Sequence, residues 1–155
     1  LKDRKDIVVL GLGNPLMSDE GIGGFIIERL AGEGEKYENI DFVDAGVGGI
    51  NLLHYMADRR KVILVDCAFM GREPGTMERF GPEEVKSVKK LAHLSLHEAD
   101  VLKIIEMARQ LGRCPEEIVI FGIEPASVEL EQQLSETIAA RVDDYVAAIS
   151  KELVV

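Results

Sequence analysis

Three residues far apart in the 155-residue chain, Glu20, Asp66 and His97, carry donors suited to a metal ion. Two carboxylates and one imidazole, with a coordination position left open, form the pattern of a catalytic or substrate-recognising metal site. The donor set suits zinc or nickel and does not separate them. Asp44 is a further acid in a similar setting, with a weaker claim, since it could equally fix the glycine turn "AGVGG" that follows it.

Each candidate has a bland reading beside the chemical one. Asp19 and Glu20 follow Ser18, which reads as a helix cap, and carboxylates near a helix amino end gain about 0.3–1 kcal/mol from the macrodipole. Asp66 emerges from the buried run "KVILV", where an unpaired carboxylate is costly to desolvate, although a hydrogen-bonded loop aspartate accounts for it as well. His54 sits mid-helix and reads as structural. His93 and His97 have the spacing of an H-x-x-x-H zinc pair. However, Ser95-Leu96-His97-Glu98 is a capping box, which places His97 in a first helical turn and leaves His93 outside it. Residue 94 is also Leu, not the Glu of a thermolysin-like motif.

Positioning three such residues requires elements that end at a common edge. Residues 7–10, 40–43, 62–65 and 118–121 are short, nearly continuous apolar runs rich in β-branched side chains, as expected of parallel strands covered on both faces. Stretches with helical spacing separate them. One carries Ile22, Phe25, Ile26 and Leu30; a weaker one carries Ile50, Leu53, Tyr55 and Met56. A third, behind the capping box, carries Val101, Ile104, Ile105, Ala108 and Leu111 and is stopped by Gly112 and Pro115. A last helix over 136–153 carries Ile138, Val142, Tyr145, Val146 and Ile149. "EPGTMERF" at 73–80 is a candidate antiparallel edge strand.

This alternation predicts an α/β fold: a three-layer α/β/α sandwich with a mainly parallel, twisted sheet of about five strands and helices on both faces. The whole span 1–155 is expected to be a single domain. In such sheets function gathers where the strands' carboxyl ends meet, near the switch in strand order. Along that edge stand Asp19-Glu20, Asp44, Asp66 and Glu124, so the crevice is expected to favour a cation. The dinucleotide fingerprint fails, because "GLGNPL" lacks the third glycine and Pro15 removes an amide. There is no Walker lysine either.

Composition narrows the partners. Apolar residues make up 46% and charged residues 30% of the chain, with a formal net charge of -10 that opposes nucleic acid. The lysines in "EEVKSVKKLAH" are offset by glutamates and read as a solvated surface. No apolar run approaches the roughly 20 residues that span a bilayer, and "LKDRKDIVVLG" does not read as a secretory leader. Cys67 and Cys114, isolated from each other, fit a reducing cytoplasm. A monomer is the default expectation.

Two families share the opening of this sequence. "VVLGLGNP" resembles the start of bacterial peptidyl-tRNA hydrolases, but their histidine-bearing segment has no counterpart in "LMSDEGIGG", and the charge is wrong for tRNA. The second resemblance runs nearly the full length. "GLGNPLMSDEGIG", "DAGVGG", "LVDCAFMGREPG", "SLHEADVL", "GIEP" and Leu134-Ser135 occur in the order found in the maturation proteases of [NiFe]-hydrogenases. Val47 departs from the threonine common in that glycine turn.

The resemblance implies that Glu20, Asp66 and His97 are the metal-contacting residues, the same trio the sheet edge selects, with Asp44 as a candidate helper in proton transfer. It implies an endopeptidase that removes the C-terminal extension of a nickel-loaded [NiFe]-hydrogenase large-subunit precursor. The nickel is then supplied by that precursor, and no tightly bound cofactor of the chain's own is expected. The alternative is a non-catalytic, nickel-dependent chaperone or scaffold for hydrogenase assembly.

Overall fold

The computed structural model describes residues 4–84 and 96–153, with backbone alone for 96–100. Its strands are β1 (Ile7–Leu12), β2 (Ile40–Gly46), β3 (Lys61–Cys67), β4 (Met77–Phe80) and β5 (Glu117–Ile123). Its helices include α1 (Ile22–Ala31), α2 (Asn51–Met56), α3 (Leu96–Gln110), α4 (Glu136–Ala139) and α5 (Val142–Leu153). The sheet order is β2-β1-β3-β5-β4. β1, β2, β3 and β5 run parallel, and β4 closes one edge antiparallel to β5.

The two-residue period of the strands sorts the core into two layers. Ile7 and Val9 of β1, with Ile63 and Val65 of β3, pack against Ile22, Ile26 and Leu30 of α1 and Val142, Tyr145 and Ile149 of α5. Val8, Leu10, Val62 and Leu64 face the other way, onto Leu52 and Met56 of α2 and Val101, Ile104 and Ile105 of α3. Helices therefore cover both faces, and the architecture is the expected α/β/α sandwich. The continuous apolar character of β1 follows from this double burial, since each of its residues is buried.

The helical stripes needed correction at their ends. Phe25 is 43% exposed, because the contact face of α1 is Ile22, Ile26, Ile27 and Leu30. Ile50 and Leu111 are also exposed, at 63% and 58%, since one precedes α2 and the other follows α3. The last helix is not continuous. Arg141 N–H donates to Ile138 O at 3.0 Å, a tight i to i+3 bond, and a turn at 140–141 separates α4 from α5. The edge strand proposed over 73–80 is real but begins at Met77. Ser95, and with it the capping box, and His93 lie outside the described residues.

The feature that sets the site is how closely α1 sits on the strand ends. A Cβ added to Gly23 would lie 2.3 Å from Leu12 O and 2.6 Å from Val65 O, and one on Gly11 would lie 2.5 Å from Gly23 O. The glycine pattern that resembles a phosphate loop is here a steric necessity of helix-on-strand packing.

At the opposite end of the sheet, Arg59 Nη1 donates to Asp41 Oδ2 at 2.5 Å, and the Lys5 N–H donates to the same oxygen at 3.1 Å. Burial pushes the Asp41 carboxyl up, but these partners outweigh it and hold it below the ordinary carboxylate range. A depressed carboxyl stabilises the fold above its unfolded pKa, and the contribution is lost as pH falls through the folded value.

Two predictions follow from this packing. A glycine inside a helix costs about 1 kcal/mol relative to alanine, so an unobstructed Gly23→Ala would stabilise. Overpacking against backbone costs about 1–3 kcal/mol or more and dominates here. Thermal melting should show Gly23→Ala lowering Tm by at least several degrees. Urea denaturation from pH 6 to pH 2 should show Asp41→Asn less stable than the parent at the higher pH, with the gap closing on acidification.

Candidate functional site

The chain leaves β1 through Gly13, whose φ of 123° is a backbone geometry that side-chain-bearing residues rarely adopt. Gly13 N–H donates to Gly46 O at 2.7 Å, which holds the ends of β1 and β2 together past their register shift. The position a Gly13 Cβ would take is 1.8 Å from Glu20 O and 3.8 Å from Asp66 Oδ1. Gly13 is thus the point at which the Glu20 backbone and the Asp66 carboxylate come close together. Any side chain there would overlap Glu20 O and displace the turn that carries it.

Glu20 lies in a short 3-10 turn, Ser18–Gly21, directly before α1, and is half-buried. Asp66 is next to last in β3 and only 3% exposed. Strand alternation puts it on the α2/α3 face with Val62 and Leu64. His97 is the second residue of α3, which packs on that same face. The α3 helix returns the chain to the start of β5. Its 15 residues span about 22 Å, so its first turn lies toward the carboxyl edge. The His97 side chain lies outside the described residues. Among the described residues no three His, Cys, Asp or Glu form a group that could hold a metal ion.

Asp44 is exposed on the outer strand β2. Its Oδ1 accepts from the Gly46 N–H at 3.0 Å, so it does brace the glycine turn. Its Oδ2 lies 2.8 Å from where a Cβ on Gly24 would be, which brings it onto the first turn of α1. His54 is exposed on α2, away from this edge.

The acids of the edge divide into two kinds, and the sequence reading did not separate them. Asp19 is 1% exposed. Its Oδ2 accepts from the Ala126 and Ser127 N–H groups, both at 2.9 Å, and from Ser135 Oγ at 2.8 Å; its Oδ1 accepts from the Ser135 N–H at 2.8 Å. Asp19 is a tether for the segment after β5, not a helix-dipole carboxylate. Glu124, 6% exposed, accepts from the Met70 and Arg72 N–H groups at 2.7 and 2.9 Å and shapes the loop after β3. These two are consumed by backbone donors.

Ser18 is no helix cap. It has φ of 48°, and its Oγ exchanges bonds with Glu129, donating to Glu129 O at 2.8 Å and accepting from the Glu129 N–H at 2.9 Å. Beside this turn opens a groove of about 680 Å³, lined by Pro15, Phe25, Asp44, Leu134 and Val142 among others.

The fold and its crevice define a class first: a parallel α/β/α domain with its polar groups gathered where strand order reverses, the usual seat of ligands in such sheets. A family model for hydrogenase maturation proteases matches residues 25–152. The chain is 34% identical over 140 residues to the hydrogenase 2 maturation protease of Escherichia coli K12, covering 88% of this chain and 84% of that one. It is 31% identical over 150 residues to the hydrogenase expression/formation protein HupD of Rhodobacter capsulatus, covering 95% and 70%. Against HupD of Bradyrhizobium diazoefficiens the figures are 32% over 123 residues, 79% of this chain but only 64% of the relative's length. The solved structure of the hydrogenase maturating endopeptidase HybD from E. coli superposes with a TM-score of 0.82 at 29% identity, over 95% of this chain and 91% of that one. The chain belongs to the hydrogenase maturation protease family.

The division of the acids is testable by stability. Removing the Asp19 carboxylate strands four part-buried donors, each costing about 1 kcal/mol or more. Asp19→Ala should therefore lose at least about 3 kcal/mol in urea denaturation. Its neighbour substituted as Glu20→Gln should stay within about 1 kcal/mol of the parent.

Proposed function

We propose that this chain is an endopeptidase that removes the C-terminal extension of a nickel-loaded [NiFe]-hydrogenase large-subunit precursor. What supports this reading beyond family membership is the junction at Gly13, where the Glu20 turn and the Asp66 carboxylate adjoin at the edge where α3 begins. The nickel is part of the substrate. Glu20, Asp66 and His97 complete its coordination and so fix the scissile peptide bond close by, and the ion polarises the carbonyl or a water as a Lewis acid. Asp44, exposed beside the first turn of α1, is the candidate to take or return a proton. Such a site needs no resident metal, and an unloaded precursor lacks the main anchor and escapes cutting. Among the described residues no helix is long and apolar enough to cross a membrane. We place the activity in the cytoplasm, with a monomeric protease and no nucleic acid.

The decisive measurement is intact mass of the large subunit after incubation with nickel-loaded or nickel-free precursor. A shortened subunit should form only from the loaded form. Glu20→Gln and His97→Ala should abolish the shortening while leaving Tm nearly unchanged, and elemental analysis of the purified protease should find little metal. A loaded precursor that is bound but never shortened would indicate a chaperone or scaffold instead; normal processing by either variant would remove the assigned ligand role.

A further inference from the structure

Leu130 is 83% exposed and Leu16 is 48% exposed, yet neither sits on a loosely held loop. The residues on either side of Leu130 are both fastened. Glu129 is held through its N–H and its carbonyl by Ser18 Oγ. Glu131 N–H donates to Leu16 O at 2.9 Å, and Ser18 N–H donates to Glu131 O at 2.7 Å, forming a short parallel bridge at Met17. Asp19 pins the same segment again at Ala126, Ser127 and Ser135. The two leucines therefore stand on one hydrogen-bonded ridge, and the Glu20 N–H is bonded to Met17 O at 3.1 Å within it.

Large apolar side chains exposed on a fastened backbone have the character of interface anchors, because little backbone freedom remains to be lost when a partner covers them. The surroundings specify that partner. Glu129 and Glu131 flank Leu130 and are exposed, and the chain as a whole carries a formal charge of -10. A complementary surface is an apolar pocket bordered by Lys or Arg, and charge complementarity of this kind also steers encounter.

We propose that the Leu16–Leu130 ridge is the docking anchor for the folded body of the protein substrate, seated in an apolar pocket with a basic rim. The assignment rests on the endopeptidase reading above. It adds a second source of affinity for the folded substrate, beside the nickel contact and separable from the residues that act on the scissile bond. Because the ridge and the Glu20 turn are one hydrogen-bonded unit, a substrate held there meets the site in a fixed register.

The test uses the full chain and the nickel-loaded precursor, with two readouts. In steady-state processing, Leu130→Ser should raise KM about tenfold or more, with kcat changed less than about twofold and Tm unaltered, while Leu130→Met should restore most of the loss. In a binding titration on the non-cutting Glu20→Gln background, Leu130→Ser should weaken Kd by a similar factor, and Glu131→Lys should flatten its salt dependence. An unchanged KM and Kd would overturn the proposal. So would a fall in kcat alone, or a self-association of the parent that Leu130→Ser abolishes, since the ridge would then seat a second copy. If the parent binds without cutting, the endopeptidase reading fails and the titration still judges the ridge; if it neither cuts nor binds, both fail.

Discussion

The structure depends on the direct contact between the α1 backbone and the ends of β1 and β3. With Gly11 and Gly23 both lacking side chains, helix and strands approach to a separation at which even a methyl group would overlap a carbonyl. That approach fixes where the chain between β1 and α1 can run. It forces the loop back over the strand ends and brings both Glu20 O and the Asp66 carboxylate close to Gly13. A larger spacing would relax the helix and disperse these groups.

On this frame, acids adjacent in sequence take opposite electrostatic roles. Asp19 is surrounded by N–H and hydroxyl donors, so its oxygens are already engaged and it serves as mechanical attachment. Glu124 does the same for the loop after β3. Glu20 and Asp44 keep solvent access at the crevice, where their charge is available to something arriving from outside. Fewer carboxylates are therefore open to a new ligand than a count of acids along the edge suggests.

Much of this was legible in the residues. Continuous apolar runs announced parallel strands buried on both sides, with helices over each face of the sheet. Asp66 stood out because it terminates such a run. What the sequence hid were contacts between distant segments. Ser18 has the type and place of a helix cap, yet its hydroxyl is drawn off by Glu129, and nothing local signals a partner so remote. Asp19 looked like a dipole carboxylate for the same reason. Phe25 fits the period of α1 but lies just off the face that α5 leaves to be covered. The capping box before α3 and the position of the His97 imidazole fall outside the described residues, and there the pattern of the sequence still stands alone.

The separation in sequence between Asp19 and its donors has a consequence for assembly. The partners lie 107 to 116 residues further on, beyond every strand of the sheet. Closing so long a loop is entropically unfavourable until the intervening parallel strands have paired. During synthesis the acid-bearing turn emerges early, but the donors that secure it belong to the last quarter of the polypeptide. The molecule therefore carries an interlock: a chain lacking its last quarter presents the acids without the bonds that shape their turn.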